Sequence, residues 1–554
     1  MADLFTDCET ETGAREIVRF LADHGYRHVF GLPGSQLVSV FHEMQNADIV
    51  LVPTIHESVT MAAADGYARV AGSAVAMVYM LPGTANALAN IYNASRDETP
   101  LLVLASQQLS TVRSERGAFC EGDLVPLVRP FTRLAKELTK GTPVRSWLEK
   151  ALRAASGTPG GPAYLSFTED VMVEPGPVVD ERLSQRAPDP IPDVTEVAER
   201  LRTARKPLIV VGGQLRRYGG SEVVESLAAR YDIPVAFELG LIDALGIAPG
   251  HSHCLGGLLT GGAIHEREAD VVLMLGTRFL TEASPRKTPY FEAAEFVAQV
   301  NADQDKLEDT RKADWVCASD PAAFARELFD ALDADPPAAE AMAGRAEWAA
   351  KRPEGKMPPG ALATLFEGFG RCLAPLHDAL DRGWVVDESV MASTVLTAVL
   401  NSKDGSRYAG TSGASLGWAT GAAAGIALAS GDPVTCVLGD GSVRFGAQGL
   451  WTIRTMNLPV TLIILDNKGY ASTRNYERAY VESLGAEASP QRPSYSNMDM
   501  RETGPDVADM IAGFGIPTRT LSEQDDLRAA VEQAWAESAN GPNALIMPVG
   551  FEDE

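Results

Sequence analysis

The sequence predicts an α/β protein made of three doubly wound domains with parallel sheets, and three observations carry that reading. Short, continuous apolar runs recur along its 554 residues, as parallel strands buried on both faces require. They alternate with helical patterns, which implies right-handed strand–helix–strand crossovers. Two Pro-rich, charged stretches, residues 173–193 and 333–360, cut the chain into blocks of ordinary domain size. Read as linkers, they give domains at 1–180, 190–335 and 358–554.

In the first block the expected strands are HVFGLPG, IVLVPTIHE, AVAMVYM and PLLVLAS. In the second they are PLIVVGG, PVAFELG, DVVLMLG and EFVAQVN. In the third they are WVVDES, PVTCVLGD, PVTLIILDN and NALIMPV. The run ATGAAAGIALAS is too short to span a bilayer and reads as a closely packed buried helix. A polar segment from Ser472 to Thr503 is either a lid over a site or a solvated loop.

Composition narrows the function. The chain is 45% hydrophobic and 22% charged, as a globular protein is. A net charge of −26 lacks the basic footprint that nucleic acid or anionic lipid demands. A small anionic substrate stays compatible, since one arginine can dominate a pocket. The cysteines (Cys8, Cys120, Cys254, Cys317, Cys372, Cys436) are scattered without a CxxC pair. They predict neither a disulfide framework nor a zinc site, and reduced thiols fit the cytoplasm. The N-terminus is acidic and lacks an apolar h-region, so no signal peptide is expected.

Ligands of open parallel sheets bind beyond the carboxyl ends of the strands. Two such ends are chemically distinctive: Gly439-Asp440-Gly441-Ser442 after VTCVL, and Asp466-Asn467-Lys468-Gly469 after VTLIIL. Between them Ala447, Leu450 and Trp451 fit one helix face, and Asn457-Leu458-Pro459 ends that helix. If the strands are adjacent, the two tips are neighbours. Gly439 and Gly441 permit close backbone approach. Asp440 offers a carboxylate, Asn467 an amide oxygen, and the following backbone a carbonyl. Mg²⁺ or Ca²⁺ takes such hard oxygens, completed by a diphosphate. The plainer alternative is a strand–turn–helix joint with a capping Asp; the second tip, 27 residues after the first, argues against it.

The GDGS…DN pair resembles the cofactor signature of thiamin diphosphate (ThDP) enzymes. Their second tip usually ends in Asn-Asn, so Asp466 departs from the pattern while Asn467 keeps it. The resemblance implies Asp440, Asn467 and the Gly469 carbonyl as metal ligands, with Gly439, Gly441 and Ser442 at the diphosphate. Thr54-Ile55-His56-Glu57, followed by SVTMAAADGYARVAG, resembles the family's catalytic glutamate segment. That implies Glu57 against N1′ of the aminopyrimidine, where proton exchange gives the imino tautomer that removes the thiazolium C2 proton. Taken alone, Glu57 is an acid favoured at a helix N-terminus. GTSGASLGWATGAAAG resembles the segment whose bulky apolar residue wedges the cofactor into a V shape. By position that residue is Leu416, and the carbonyl that accepts the 4′-amino hydrogen bond is that of Ala414. Val386-Asp387-Glu388-Ser389 resembles an early strand end of the pyrophosphate domain and implies Ser389 at the diphosphate.

The resemblance spans nearly the whole chain in the order pyrimidine-binding, central and pyrophosphate-binding domain. This is the order of the acetolactate synthase, pyruvate oxidase and benzoylformate decarboxylase group, including 2-hydroxyacyl-CoA lyase relatives. FGLPGS resembles the group's FGxPG segment, so Ser35 either touches a substrate carboxylate or caps a helix. Gln107 and Gln108 match glutamine-bearing active-site segments and either face the cofactor or cap a loop. The chain departs from benzoylformate decarboxylase where that enzyme has catalytic histidines. Neither YMLPGT (79–84) nor FLTEASPRKTPYF (279–291) contains one, and His56, beside a motif, reads as a supporting residue. The implied activity is a ThDP- and Mg²⁺-dependent lyase cleaving a C–C bond next to a carbonyl, acting on a 2-oxo acid or a 2-hydroxyacyl(-CoA) substrate and able to carboligate. An acetolactate-synthase-like carboligase and a non-catalytic ThDP-binding regulator are the alternatives. FAD or a nucleotide in the central domain is left open; GGQLRRYGG is no GxGxxG, and its Arg216 and Arg217 either meet a phosphate or are solvated. In the family, Glu57 of one chain meets the diphosphate site of another, which implies a homodimer at least and a homotetramer as the expected assembly.

Overall fold

Three six-stranded sheets, parallel throughout, form the skeleton of the chain. The computed structural model describes residues 10–113, 115, 119–120, 122–178, 191–238, 242–278, 288–308, 313–353, 361–488, 497–500, 505–522 and 524–550, without side chains at 361–364 and 485–488. With strands counted in chain order inside each sheet, the first and third sheets both run 2-1-3-4-6-5. The middle sheet runs 3-2-1-4-5-6. Each order reverses next to its first strand, and that reversal opens a crevice at the carboxyl ends.

Every apolar run read as a strand forms one, from His28–Gly31 to Asn543–Pro548. Leu101–Gln107 and Val460–Asp466 are buried along their whole lengths, as central parallel strands must be. Within the three large sheets, the strands without a sequence signal are Leu134–Leu138, Pro162–Thr168, Cys254–Gly257, Trp315–Ala318, Tyr408–Ala409 and Thr518–Thr520. All but Pro162–Thr168 lie at sheet edges, where half-exposed strands lose the continuous apolar pattern.

The two Pro-rich stretches are not plain linkers. Within 173–193, Pro175–Pro177 pairs antiparallel with Thr10–Thr12, and 179–190 lie outside the described residues. Residues 333–353 carry helices Ala339–Met342 and Arg345–Ala350, strapped to the central domain. Arg345 is fully buried and donates to the carbonyls of Leu201 (2.6 Å), Ala204 (2.6 Å) and Tyr231 (3.3 Å), which lie at or just past the C-terminal ends of two helices. A cation at helix C-termini takes up their unpaired carbonyls and opposes their dipoles. Trp348 adds a hydrogen bond to the Pro207 carbonyl (2.8 Å). The polar segment after Asn467 is also no loop at its start: Ala471–Ala488 is a helix, whereas 489–496 and 501–504 lie outside the described residues.

Helix Ala419–Ser430 is buried as expected, and its close partner is helix Glu57–Ala71 of the first domain. Small residues let the two backbones nearly touch. A Cβ at Gly66 would stand 2.2 Å from the Ala422 carbonyl oxygen, and one at Gly425 would stand 1.9 Å from that of Ala63. Beside this seam, Arg69 ties three domains. It donates to the Gly410 carbonyl (2.6 Å), the Asp243 carbonyl (3.2 Å) and the Asp97 carboxylate (2.7 Å). Trp418 Nε1 donates to Asp65 (2.6 Å) in the same cluster. No helix among the described residues is long and apolar enough to cross a membrane.

Candidate functional site

The reversal in the third sheet falls between strands Trp384–Glu388 and Val434–Gly439. Val434–Gly439 pairs in parallel with Val460–Asp466, Gly439 opposite Leu465, so the two polar tips are neighbours. Asp440 opens helix Asp440–Phe445 and is only 2% exposed. Its Oδ2 has no hydrogen-bond partner. Burial first, and the neighbouring Asp466 charge second, push its carboxyl up to about 7. Asn467 is half-buried, and its Oδ1 accepts from the Gly469 amide (3.1 Å). Lys468, at φ 55°, turns its ammonium to Asp466 (2.6 Å) and Asp506 (3.0 Å).

Two features of this cleft fit a divalent cation on a diphosphate. A buried carboxylate oxygen without a partner is costly, and a cation offsets that cost. A Cβ at Gly439 or Gly441 would meet nothing closer than 3.9 Å, so the chain's own packing does not demand glycine there and leaves room for a ligand. Among the described residues no three His, Cys, Asp or Glu side chains cluster as a metal site. The donors present are one carboxylate, one amide and backbone carbonyls, which suit Mg²⁺ rather than a transition metal.

Next to the cleft runs the turn that carries Ala414 and Leu416. Ala414 is exposed at φ 59° and Leu416 is half-buried. Ser389 is buried, with its hydroxyl on Asp387 (2.6 Å). Ser442 donates to the Glu388 carbonyl (3.0 Å). The Glu388 carboxylate accepts the amides of Gly417 (2.7 Å), Trp418 (3.2 Å) and Ala419 (3.1 Å). Burial pushes that carboxyl up to about 8, against the downward pull of the three amides. The resemblance points to Ser389 and not to Glu388, although both stand in the same strand end.

The first sheet gathers a second set of strand ends. Glu57 begins helix Glu57–Ala71, 7% exposed, and its Oε2 accepts from Asn86 (3.1 Å). Gly83 lies against its Oε1, and a Cβ there would come within 2.8 Å. His56 supports the helix start, its Nδ1 accepting from the Ser58 amide (3.2 Å). Ser35 is exposed and donates to Gln36 (2.7 Å); the N-cap position is Gly34, so the capping alternative for Ser35 falls. Gln107 Oε1 accepts from the Gln108 amide (2.9 Å), and Gln108 Nε2 donates to the Cys120 carbonyl (2.9 Å). Both glutamines therefore hold backbone at the end of their strand. Among the described residues no hydrogen bond or ion pair joins Glu57 to the Asp440–Asn467 cleft.

Among the described residues, the Gly212–Gly213 turn of the central crevice is not built to hold a phosphate. The Gly212–Gly213 turn is faced by carboxylates: Cβ atoms there would stand 2.5 Å from Glu238 Oε1 and 2.0 Å from Asp243 Oδ1. Arg217 is not solvated but paired with Glu98 (3.2 Å) and Asp243. Arg216 Nε donates to the Leu245 carbonyl (2.8 Å). Gln214 bridges Glu98 (2.7 Å) and Asn301 (2.9 Å) across the strand ends. A phosphate would meet acids where it needs donors.

Residues 11–126 match the N-terminal thiamine pyrophosphate (TPP) binding domain of thiamine pyrophosphate enzymes, 194–328 their central domain and 391–546 their C-terminal TPP binding domain. The chain is 25% identical to benzoylformate decarboxylase of Pseudomonas aeruginosa, over 95% of this chain and 97% of that one. It is 26% identical to the acetolactate synthase isozyme 3 large subunit of Escherichia coli, over 97% and 94%. In fold it is similar to the thiamine diphosphate-dependent 4-hydroxybenzoylformate decarboxylase of Rhodococcus jostii, with a TM-score of 0.82 at 20% identity, covering 98% of this chain and 100% of that one.

Proposed function

The chain belongs to the thiamine pyrophosphate enzyme family, and from that premise we propose a ThDP- and Mg²⁺-dependent lyase. It cleaves a C–C bond next to the carbonyl of a 2-oxo acid or 2-hydroxyacyl substrate. The observation that carries the cofactor reading is the buried, unpartnered Asp440 carboxylate oxygen beside Asn467. Asp440, Asn467 and the Gly469 carbonyl would hold the metal. Ser389, Gly439, Gly441 and Ser442 would hold the diphosphate, and Ala414 with Leu416 the ring end. Bound ThDP supplies a nucleophilic carbon and takes up the electron pair released on cleavage. The chain's part is to exchange one proton at the Glu57 carboxylate and to orient the reactants. The proposed domains are pyrimidine-binding at 1–180, central at 190–335 and pyrophosphate-binding at 358–554; the contacts of Arg345 and Trp348 support extending the central one to 353.

Exposed apolar residues flank both halves: Ile55 (46% exposed) beside Glu57, and Phe445 (57% exposed) near Asp440. In this reading a second copy completes the site, with a homodimer as the smallest active unit and a homotetramer as the expected assembly, and these residues are open to such a contact. The five described cysteines are unpaired thiols, which supports a cytoplasmic protein.

A mass-spectrometric screen of ThDP- and Mg²⁺-loaded protein tests the reaction class, offering pyruvate, benzoylformate, branched 2-oxo acids and 2-hydroxyacyl-CoAs with and without an aldehyde acceptor. Aldehyde product is expected. Acetolactate or ligated hydroxyketone alone would move the chain to the carboligases, a reading favoured by its equal likeness to acetolactate synthase. Asp440→Ala is expected to abolish the metal dependence of ThDP binding, read by calorimetry with and without Mg²⁺. Equal affinity in the variant refutes the metal site.

The Asp440 carboxyl also sets a pH dependence. Below about 7 the metal-free site holds a proton there, and a cation must displace it. Mg²⁺-dependent ThDP affinity is expected to fall by up to tenfold per pH unit below that value and to level off above it. A flat profile from pH 5 to 8 refutes the assignment.

A further inference from the structure

We propose that Glu388 and Asn93 are positioning residues that clamp the turn 413–419 from two domains, so that the surface Ala414 and Leu416 offer the cofactor is set before the cofactor binds. The proposal rests on the reading of those two residues as cofactor contacts.

The turn needs holding. Ala414 sits at φ 59° and Gly417 at φ 91°, and a side-chain-bearing residue disfavours the left-handed region. On one side Asn93, in helix Met80–Arg96 of the first domain, takes both polar groups of a single residue. Its Oδ1 accepts from the Ser415 amide (3.1 Å) and its Nδ2 donates to the Ser415 carbonyl (2.9 Å). Gly413 lies flat against the same side chain, where a Cβ would come within 2.1 Å of Oδ1. On the other side one carboxylate, that of Glu388, collects three consecutive amides from Gly417 to Ala419. Ala414 and Leu416 therefore lie between two anchored stretches of backbone.

Each clamp residue also reaches another part of the site. Asn93 donates to Asn90 (2.8 Å), and Asn90 donates to the carbonyl and hydroxyl of Ser58 (2.9 Å each), the residue after Glu57. Glu388 accepts the Ser442 hydroxyl on its carbonyl, in the Gly439–Ser442 tip. An acid that merely capped helix Ala419–Ser430 would need no second anchor at the far end of the turn, where Asn93 holds Ser415.

The test uses full-length protein with Glu388→Gln and, separately, Asn93→Ala. Hydrogen exchange on cofactor-free protein reads the clamp without any activity. Exchange in peptides covering 413–419 is expected to rise at least tenfold in both variants, with the strand Val434–Gly439 unchanged. Calorimetry at saturating Mg²⁺ is expected to show ThDP bound at least tenfold more weakly. Faster exchange with ThDP affinity within twofold of the parent would reduce Glu388 to a helix cap and overturn the proposal. Unchanged exchange would overturn it as well. Should Glu388→Gln fail to fold, Asn93→Ala decides by the same two readouts. A parent chain that binds no ThDP overturns the preceding functional reading; a parent that binds it no better than both variants overturns the clamp alone.

Discussion

Glu57→Gln is expected to lower turnover by roughly 10²- to 10⁴-fold, the usual worth of a positioned acid–base group, while leaving the fold and ThDP affinity nearly unchanged. The substitution is isosteric, and the amide oxygen of glutamine keeps the Asn86 hydrogen bond that Oε2 now accepts. The backbone start of the helix is held independently, by His56 on the Ser58 amide. What is lost is the ability to take up and return a proton in a pocket closed by Gly83. Exchange of the ThDP C2 proton, followed by NMR after rapid quenching, isolates that step from substrate chemistry. Unchanged exchange in the variant would remove Glu57 from the proton path, and weaker ThDP binding without slower exchange would make it a binding residue.

The second large effect is structural. Gly425→Val is expected to destabilise the chain by about 3 kcal/mol or more, at or above the usual upper range for overpacking. The added Cβ would press on the Ala63 carbonyl and the Tyr67 amide, and backbone cannot swing aside as a flexible side chain can. Helix Glu57–Ala71 must then lift off helix Ala419–Ser430, taking the Trp418–Asp65 hydrogen bond with it. Gly370→Ala makes the contrast: that helical glycine meets nothing within 4 Å, so alanine there is expected to stabilise by about 0.5–1 kcal/mol. Scanning calorimetry of both variants decides. A Gly425→Val melting temperature equal to that of the parent would show that the seam has slack.

Central strands and polar tips were legible because each is written locally. A strand buried on both faces needs a continuous apolar run, and Asp440 and Asn467 follow two such runs directly. Edge strands were not, since Leu134–Leu138 is paired on one side only and carries Lys136 and Glu137. The stretch 333–353 looked like a linker from its Pro, Ala and charged residues, yet Arg345 and Trp348 anchor it to carbonyls more than a hundred residues away. The clamp was equally hidden. Asn93 and Ser415 are 322 residues apart in sequence, and neither lies in a pattern that signals the other. Glu388 sits inside a recognised segment, but only the fold shows that its carboxylate turns towards the start of helix Ala419–Ser430 rather than into solvent.

The seam between helices Glu57–Ala71 and Ala419–Ser430 also dictates an order of events during synthesis. Its hydrogen-bonded partners Asp65 and Trp418 are separated by 353 residues. At ordinary rates of translation the first sheet is complete many seconds before its partner helix leaves the ribosome. Through that interval the glycine- and alanine-lined face of the first domain has nothing of its own chain to dock on. Assembly is therefore expected to be domain-wise, with docking of the third domain onto the first as the late, slow step. A chain arrested before residue 419 is expected to leave that helix face uncovered.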